Sequence, residues 1–98
     1  MISAKAIWTE NERYIGEATS RHAIVMDTAK EKTAGTPMEL VLIALCGCTA
    51  SDVVGMLRKK REPFTGLEVS AEGERTTDYP QVYTEIKLKY RVAGKVSH

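Results

Sequence analysis

The sequence predicts an α+β fold: N-terminal β-hairpin strands, one long buried central helix, and C-terminal antiparallel strands. Three observations carry this. Thr36 to Arg61, TPMELVLIALCGCTASDVVGMLRKKR, opens with helix-start chemistry and closes on a basic cluster. The segments on either side alternate apolar and polar residues with the period of two that marks a strand. The strands are not interleaved with further helical stretches, so the pattern is α+β and not a βαβ array.

Taken in order, Ile2 to Trp8 reads as a strand with Ile2, Ala4, Ala6 and Trp8 on one side. Glu10-Asn11-Glu12 is a polar turn, and Arg13 to Glu17 returns as the second arm of a hairpin. Ala23-Ile24-Val25-Met26 is a further β-rich run ending at Asp27, and the polar stretch from Thr28 to Gly35 is a loop. The helix then spans Pro37 to Lys60. Thr36 suits the N-cap, Pro37 the first helical position, and Glu39 stands three residues after the cap, where a capping box forms. From Met38 to Cys48 nearly every side chain is apolar or small, so the helix has no wet face there, the pattern of a helix buried all round. Thr49, Ser51 and Asp52 interrupt the run, leaving it short of the roughly 20 apolar residues that a membrane span needs. Arg58, Lys59, Lys60 and Arg61 place positive charge at the C-terminal end, which suits the helix dipole, and read as a solvated last turn.

Pro63 and Gly66 stop the helix and turn the chain. Leu67, Val69 and Ala71 then alternate with Glu68, Ser70 and Glu72, a strand with one wet face. Arg75 to Gln81, with Asp78 and Pro80, is a loop. In the final strand Val82, Thr84, Ile86, Leu88, Tyr90 and Val92 face one way, and Glu85, Lys87, Lys89 and Arg91 the other. Gly94 ends it, leaving Lys95 to His98 as a frayed tail.

Ninety-eight residues fit a single domain over 1–98. A hydrophobic content of 43% and a charged content of 28% are those of a soluble globular protein. The net charge of +1 offers no electrostatic footprint for nucleic acid or an anionic membrane. The N-terminus lacks the apolar segment of a signal peptide, which sets a cytoplasmic expectation. A helix buried on all sides needs more covering surface than the short strands here supply, so a partner is expected, most simply a second copy of the chain. The competing expectation is a single sheet that wraps the helix.

The two cysteines, Cys46 and Cys48, both fall on the helix. In a chain without a secretion signal they do not make a disulfide framework. His22 and His98 lie far away in sequence, so no metal or other cofactor is expected. Residues two apart point about 200° apart on a helix, so the cysteines face different surroundings. Cys46 shares its stripe with Leu42, Ile43, Ala50, Val53 and Leu57 and reads as a small buried hydrophobe. Cys48 shares its face with Val41, Ala44, Ser51, Asp52 and Gly55. That face suits either a pocket-facing thiol or close packing against another helix. A reactive thiolate needs nearby positive charge, and mid-helix the dipole does not supply it. Arg13 and Arg21, on the preceding strands, are the candidate cations, each against a reading as ordinary surface charge. Glu39 reads as the capping-box partner, with the holding of a catalytic arginine as its alternative.

The chain resembles the osmotically-inducible-protein-C and organic-hydroperoxide-resistance (OsmC/Ohr) family. The likeness rests on Thr36-Pro37-Met38-Glu39-Leu40, the apolar helix, and Cys46-Gly47-Cys48-Thr49-Ala50, with Cys48 eleven positions after Pro37. It continues through Val53-Val54, Gly66-Leu67-Glu68-Val69, Tyr79-Pro80 and the strand from Ile86 to Gly94, while the N-terminal strands are generic. The resemblance implies an intertwined α+β homodimer with its active sites at the subunit interface. It implies reduction of organic hydroperoxides in oxidative-stress defence, with Cys48 as the catalytic thiol. In the enzymes of this family a second cysteine, in a C-terminal helix, resolves the sulfenic acid; Cys46 does not match it, so an external thiol reductant is expected. Where those enzymes carry an acidic residue directly after the proline, this chain has Met38, the pattern of the less characterised OsmC-like branch, and the chain looks like a shortened member. The alternative is a non-catalytic dimer that binds a small apolar ligand, with Cys48 packed and inert.

Overall fold

In the computed structural model, residues 1–77 and 81–94 are described. Among the described residues five strands and one helix follow in the order β1 (Ala4–Glu10), β2 (Arg13–Ala18), β3 (Ala23–Asp27), α1 (Pro37–Lys59), β4 (Phe64–Arg75) and β5 (Tyr83–Gly94). The architecture is α+β, with strands before and after helix α1. The chain divides into two compact units, Met1–Val41 and Leu42–His98.

The first unit is an antiparallel meander ordered β1-β2-β3. The pairing Ala6–Gly16–Ile24 and Trp8–Tyr14–Met26 sets one row of side chains on one face, and Ile7–Ile15–Val25 forms a row on the other. Asn11 closes the first hairpin with a positive φ of 48°, a conformation asparagine tolerates better than most residues, and its carbonyl accepts a 2.8 Å bond from the Trp8 indole N–H. Arg21, at φ 64°, closes the next turn, where its N–H donates to the Ala18 carbonyl at 2.8 Å.

The second unit joins most of α1 to the β4–β5 hairpin. Cross-strand pairing puts Leu67–Val92, Val69–Tyr90, Ala71–Leu88 and Gly73–Ile86 on one face. The other face pairs Glu68 with Arg91 and Glu72 with Lys87, opposite charges placed directly across the strands. Helix α1 meets the apolar face at Gly73. A Cβ on Gly73 would sit 2.7 Å from the Tyr83 ring and 3.4 Å from Leu42, so only glycine lets both side chains lie there.

Both ends of α1 are closed by side-chain or backbone capping. At the start, the Glu39 N–H donates to Thr36 Oγ1 at 3.1 Å and the Thr36 N–H donates to Glu39 Oε1 at 2.9 Å, the reciprocal capping box that the sequence predicts. At the other end the chain reverses at Arg61, not at Pro63 and Gly66. The Glu62 N–H reaches the Leu57 carbonyl at 2.9 Å and the Arg61 N–H the Arg58 carbonyl at 3.1 Å, a Schellman closure with Arg61 at φ 56°. Because the reversal is complete by Glu62, β4 starts at Phe64, and Gly66 lies inside it, paired with Ala93 just after a bulge at Thr65.

Two expectations for the helix change. The polar residues Thr49, Ser51 and Asp52 do not leave it too short: the 23-residue helix is long and apolar enough, by length and composition alone, to cross a membrane. None of its residues is buried in the single chain. Instead it has a half-buried stripe (Leu42, Leu45, Cys46, Thr49, Ala50, Val53 and Leu57) and an exposed one that includes Ala44, Cys48, Ser51, Asp52 and Gly55. Two-stranded β4–β5 is too narrow to wrap a helix about 10 Å across. Among the described residues no apolar side chain is buried at all, and the single buried residue is Asp27, 2% exposed.

Candidate functional site

Cys48 lies on the exposed stripe of α1 as a free thiol, and Cys46 as a free, half-buried one. The 3.6-residue repeat therefore separates them as the sequence indicates, with Cys46 among Leu42, Ala50, Val53 and Leu57. Ile43 departs from that stripe and is 63% exposed. Around Cys48 the residues Ala44, Gly47, Ser51 and Gly55 are small and exposed, which leaves room beside the sulfur for a small molecule or another backbone. Asp52, one turn on, is also exposed and brings negative charge to the same stripe.

Among the described residues two open grooves lie away from the cysteines, and neither is lined by one. One, of about 460 Å³, runs over the first unit's sheet and is lined mainly by small and apolar residues such as Ala6, Gly16, Ile24 and Met26, together with Lys5, Glu17 and His22. The other, of about 140 Å³, is polar and sits between Glu72, Glu74, Glu85 and Lys87 on the β4–β5 hairpin. Among the described residues no three His, Cys, Asp or Glu side chains gather where a metal could be held.

Of the other candidates, Arg13 and Glu39 are committed within the first unit. Arg13 on β2 places Nη1 3.1 Å from Glu10 Oε1 and Nε 3.9 Å from Asp27 Oδ2, so its charge is shared between two carboxylates. Arg21 is exposed in the tight turn after β2. Glu39 is engaged in the capping box, where the Thr36 backbone N–H and then the Thr36 side chain hold its carboxyl below the usual carboxylate range.

Asp27 is the residue that sequence reasoning passed over. Its carboxylate accepts bonds from the Thr33 hydroxyl at 2.7 Å, the Ala29 N–H at 2.8 Å and the Thr33 N–H at 3.1 Å. Those bonds, the Thr33 hydroxyl foremost, with the Arg13 charge adding to them, bring its pKa down to about 2. The available signal was an aspartate at a strand end, followed by a polar loop with a threonine six residues on, the composition of an Asx-type turn.

An antiparallel meander, a capped helix bearing a mid-helix thiol and a following β-hairpin define an OsmC-type α+β protein. The chain belongs to the OsmC-like family: the family profile described as OsmC-like protein matches residues 28–98. The matched span begins just after β3, which agrees with the generic character of the N-terminal strands. The chain is 38% identical over 94 residues to Protein YhfA of Escherichia coli strain K12, covering 96% of this chain and 70% of that protein. The same identity and coverage hold for Protein YhfA of Shigella flexneri. A solved structure described as "structural genomics" is 38% identical, superposes with a TM-score of 0.80, and is matched over 92% of this chain and 66% of its own. A crystal structure of a hypothetical protein from Aquifex aeolicus VF5 is 25% identical with a TM-score of 0.82, over 99% of this chain and 70% of its own. The chain thus spans about two thirds of the length of these relatives.

Proposed function

We propose that this protein is a cytoplasmic thiol peroxidase that reduces organic hydroperoxides through Cys48, with an external thiol as reductant. The observation that carries this reading is the asymmetry of α1: Cys48 is exposed among small residues, while Cys46 is half-buried in an apolar stripe. The resemblance read from the sequence supports the same assignment, since Cys48 follows Pro37 by eleven positions.

The chemistry is a two-electron transfer. The Cys48 thiolate attacks one peroxide oxygen, the O–O bond breaks, and the departing alkoxide takes a proton to leave as an alcohol. Cys48 is then a sulfenic acid. A first external thiol condenses with it, releasing water and forming a mixed disulfide. A second thiol attacks that disulfide, returning Cys48 and releasing the oxidised reductant as its own disulfide. The cycle uses no second cysteine of the chain, which fits the divergence of Cys46 and Cys48 on the helix.

We also propose that the working form is a homodimer. Val41, Ile43 and Met56 on α1 are 50%, 63% and 56% exposed, and a second copy would remove such side chains from water. The test of the catalytic reading is single turnover of cumene hydroperoxide by reduced protein, followed by thiol titration. Loss of one thiol equivalent in the wild type and none in Cys48→Ser supports it; no thiol loss in the wild type sinks it.

A second reading is favoured by the apolar groove on the first unit's sheet, which is lined by Ala6, Gly16, Ile24 and Met26 and by no cysteine. There the protein is a non-catalytic dimer that binds a small apolar ligand. Retention of an apolar dye that is unchanged in Cys48→Ala but lost in Gly16→Leu separates it from the first.

A further inference from the structure

The single buried side chain among the described residues is a carboxylate that the proposed chemistry does not use. Asp27 stands at the end of β3, where the chain leaves the sheet for the loop that leads into α1. The base of that loop is sewn to the meander by backbone bonds. The Asp27 N–H donates to the Gly35 carbonyl at 3.1 Å, the Thr28 N–H donates to the Glu12 carbonyl at 3.0 Å, and Met26 and Gly35 form a parallel bridge. The middle of the loop is held differently. The Ala29 N–H, the Thr33 N–H and the Thr33 hydroxyl all converge on the two oxygens of the Asp27 carboxylate.

We propose that residues 29–34 form a strap that opens and closes as one unit over Asp27, with the Asp27 carboxylate as its single clasp. The elements at its ends are fixed without it: β3 by its register with β2, and the start of α1 by the Thr36–Glu39 capping box. Opening the strap therefore costs the clasp bonds and leaves the base, the sheet and the helix in place. An open strap bares Asp27 to water beside Arg13, which keeps its 3.1 Å bond to Glu10. The charged group that faces the clasp is Arg13 from β2, itself paired with Glu10 from β1, while Lys30, Glu31 and Lys32 on the strap are exposed and the Lys32 charge acts on Glu39 at the helix start. Because both Ala29 and Thr33 depend on one carboxylate, loss of either donor weakens the hold on the other.

Amide hydrogen exchange on the full chain tests this, in the wild type, Thr33→Val and Asp27→Asn. Thr33→Val removes one donor to a charged acceptor, so the Ala29 amide, four residues away, is expected to exchange roughly tenfold faster or more. The base amides of Asp27 and Thr28 keep their wild-type rates. Asp27→Asn accelerates the amides at 29 and 33 together by a larger factor. An Ala29 rate unchanged in Thr33→Val overturns the strap, as does equal acceleration at Asp27 and Thr28. Should Asp27→Asn fail to fold, the Thr33→Val comparison decides alone.

Discussion

The end of α1 offers a test in which the expected effect follows from one dihedral angle. Arg61 closes the Schellman motif at φ 56°, a region where a Cβ crowds the following carbonyl and costs an L-residue roughly 1–2 kcal/mol. Glycine has no such penalty, but it loses about 0.5–1 kcal/mol more backbone entropy on folding than alanine does. Arginine also contributes charge at the negative end of the helix dipole, so the fair reference is Arg61→Ala, which removes that charge and keeps the strain. Arg61→Gly is therefore expected to exceed Arg61→Ala in stability by roughly 0.5–1 kcal/mol. For a chain of this size that is about 2–8 °C in Tm. The bonds from Glu62 to Leu57 and from Arg61 to Arg58 involve only backbone and survive both changes. The assay is thermal and urea unfolding of the two variants at one fixed protein concentration, because self-association would move the midpoint. If Arg61→Gly is no more stable than Arg61→Ala, the helix does not end in the closure described and the argument fails.

Two further outcomes follow from the residues that flank α1. Thr36→Ala removes the acceptor for the Glu39 N–H and is expected to cost about 1 kcal/mol in urea unfolding, while Thr36→Ser, which keeps a hydroxyl, is expected to cost much less. The Asp27 carboxyl titrates at about 2 in the folded protein against an ordinary 3.8, so its contribution is fully present above about 4 and is lost as the pH falls from there towards 2. The urea midpoint of the wild type should drop across that window more steeply than that of Asp27→Asn; parallel acid profiles would contradict the Asp27 assignment.

Much of the fold is legible in the sequence because local chemistry decides it. Thr36, Pro37 and Glu39 specify the helix start, and the alternation at Leu67, Val69 and Ala71 matches the face that pairs with Val92, Tyr90 and Leu88. The helix end is misread because Pro63 and Gly66 look like breakers, whereas the reversal uses an arginine in a conformation that sequence assigns to glycine. The need for cover on the helix is legible as well, because its apolar surface exceeds what the short strands can hide, and in the single chain Ile43 and Met56 stay open.

The site divides the same way. The opposite surroundings of Cys46 and Cys48 follow from helical geometry and are visible in the sequence. The commitment of Arg13 to Glu10 and Asp27 is not, because it depends on which strand residues pair. Asp27 is missed because a carboxylate at a strand end is usually solvated, and only the placement of Ala29 and Thr33 shows it buried.

The central claim is that Cys48 is a reacting thiol. Reduced protein mixed with one equivalent of cumene hydroperoxide, quenched, and analysed by intact mass after trapping with dimedone measures it directly. The account predicts one sulfenic-acid adduct per chain in the wild type and in Cys46→Ser, and none in Cys48→Ser. An adduct that persists in Cys48→Ser, or a wild type that gives none, contradicts it.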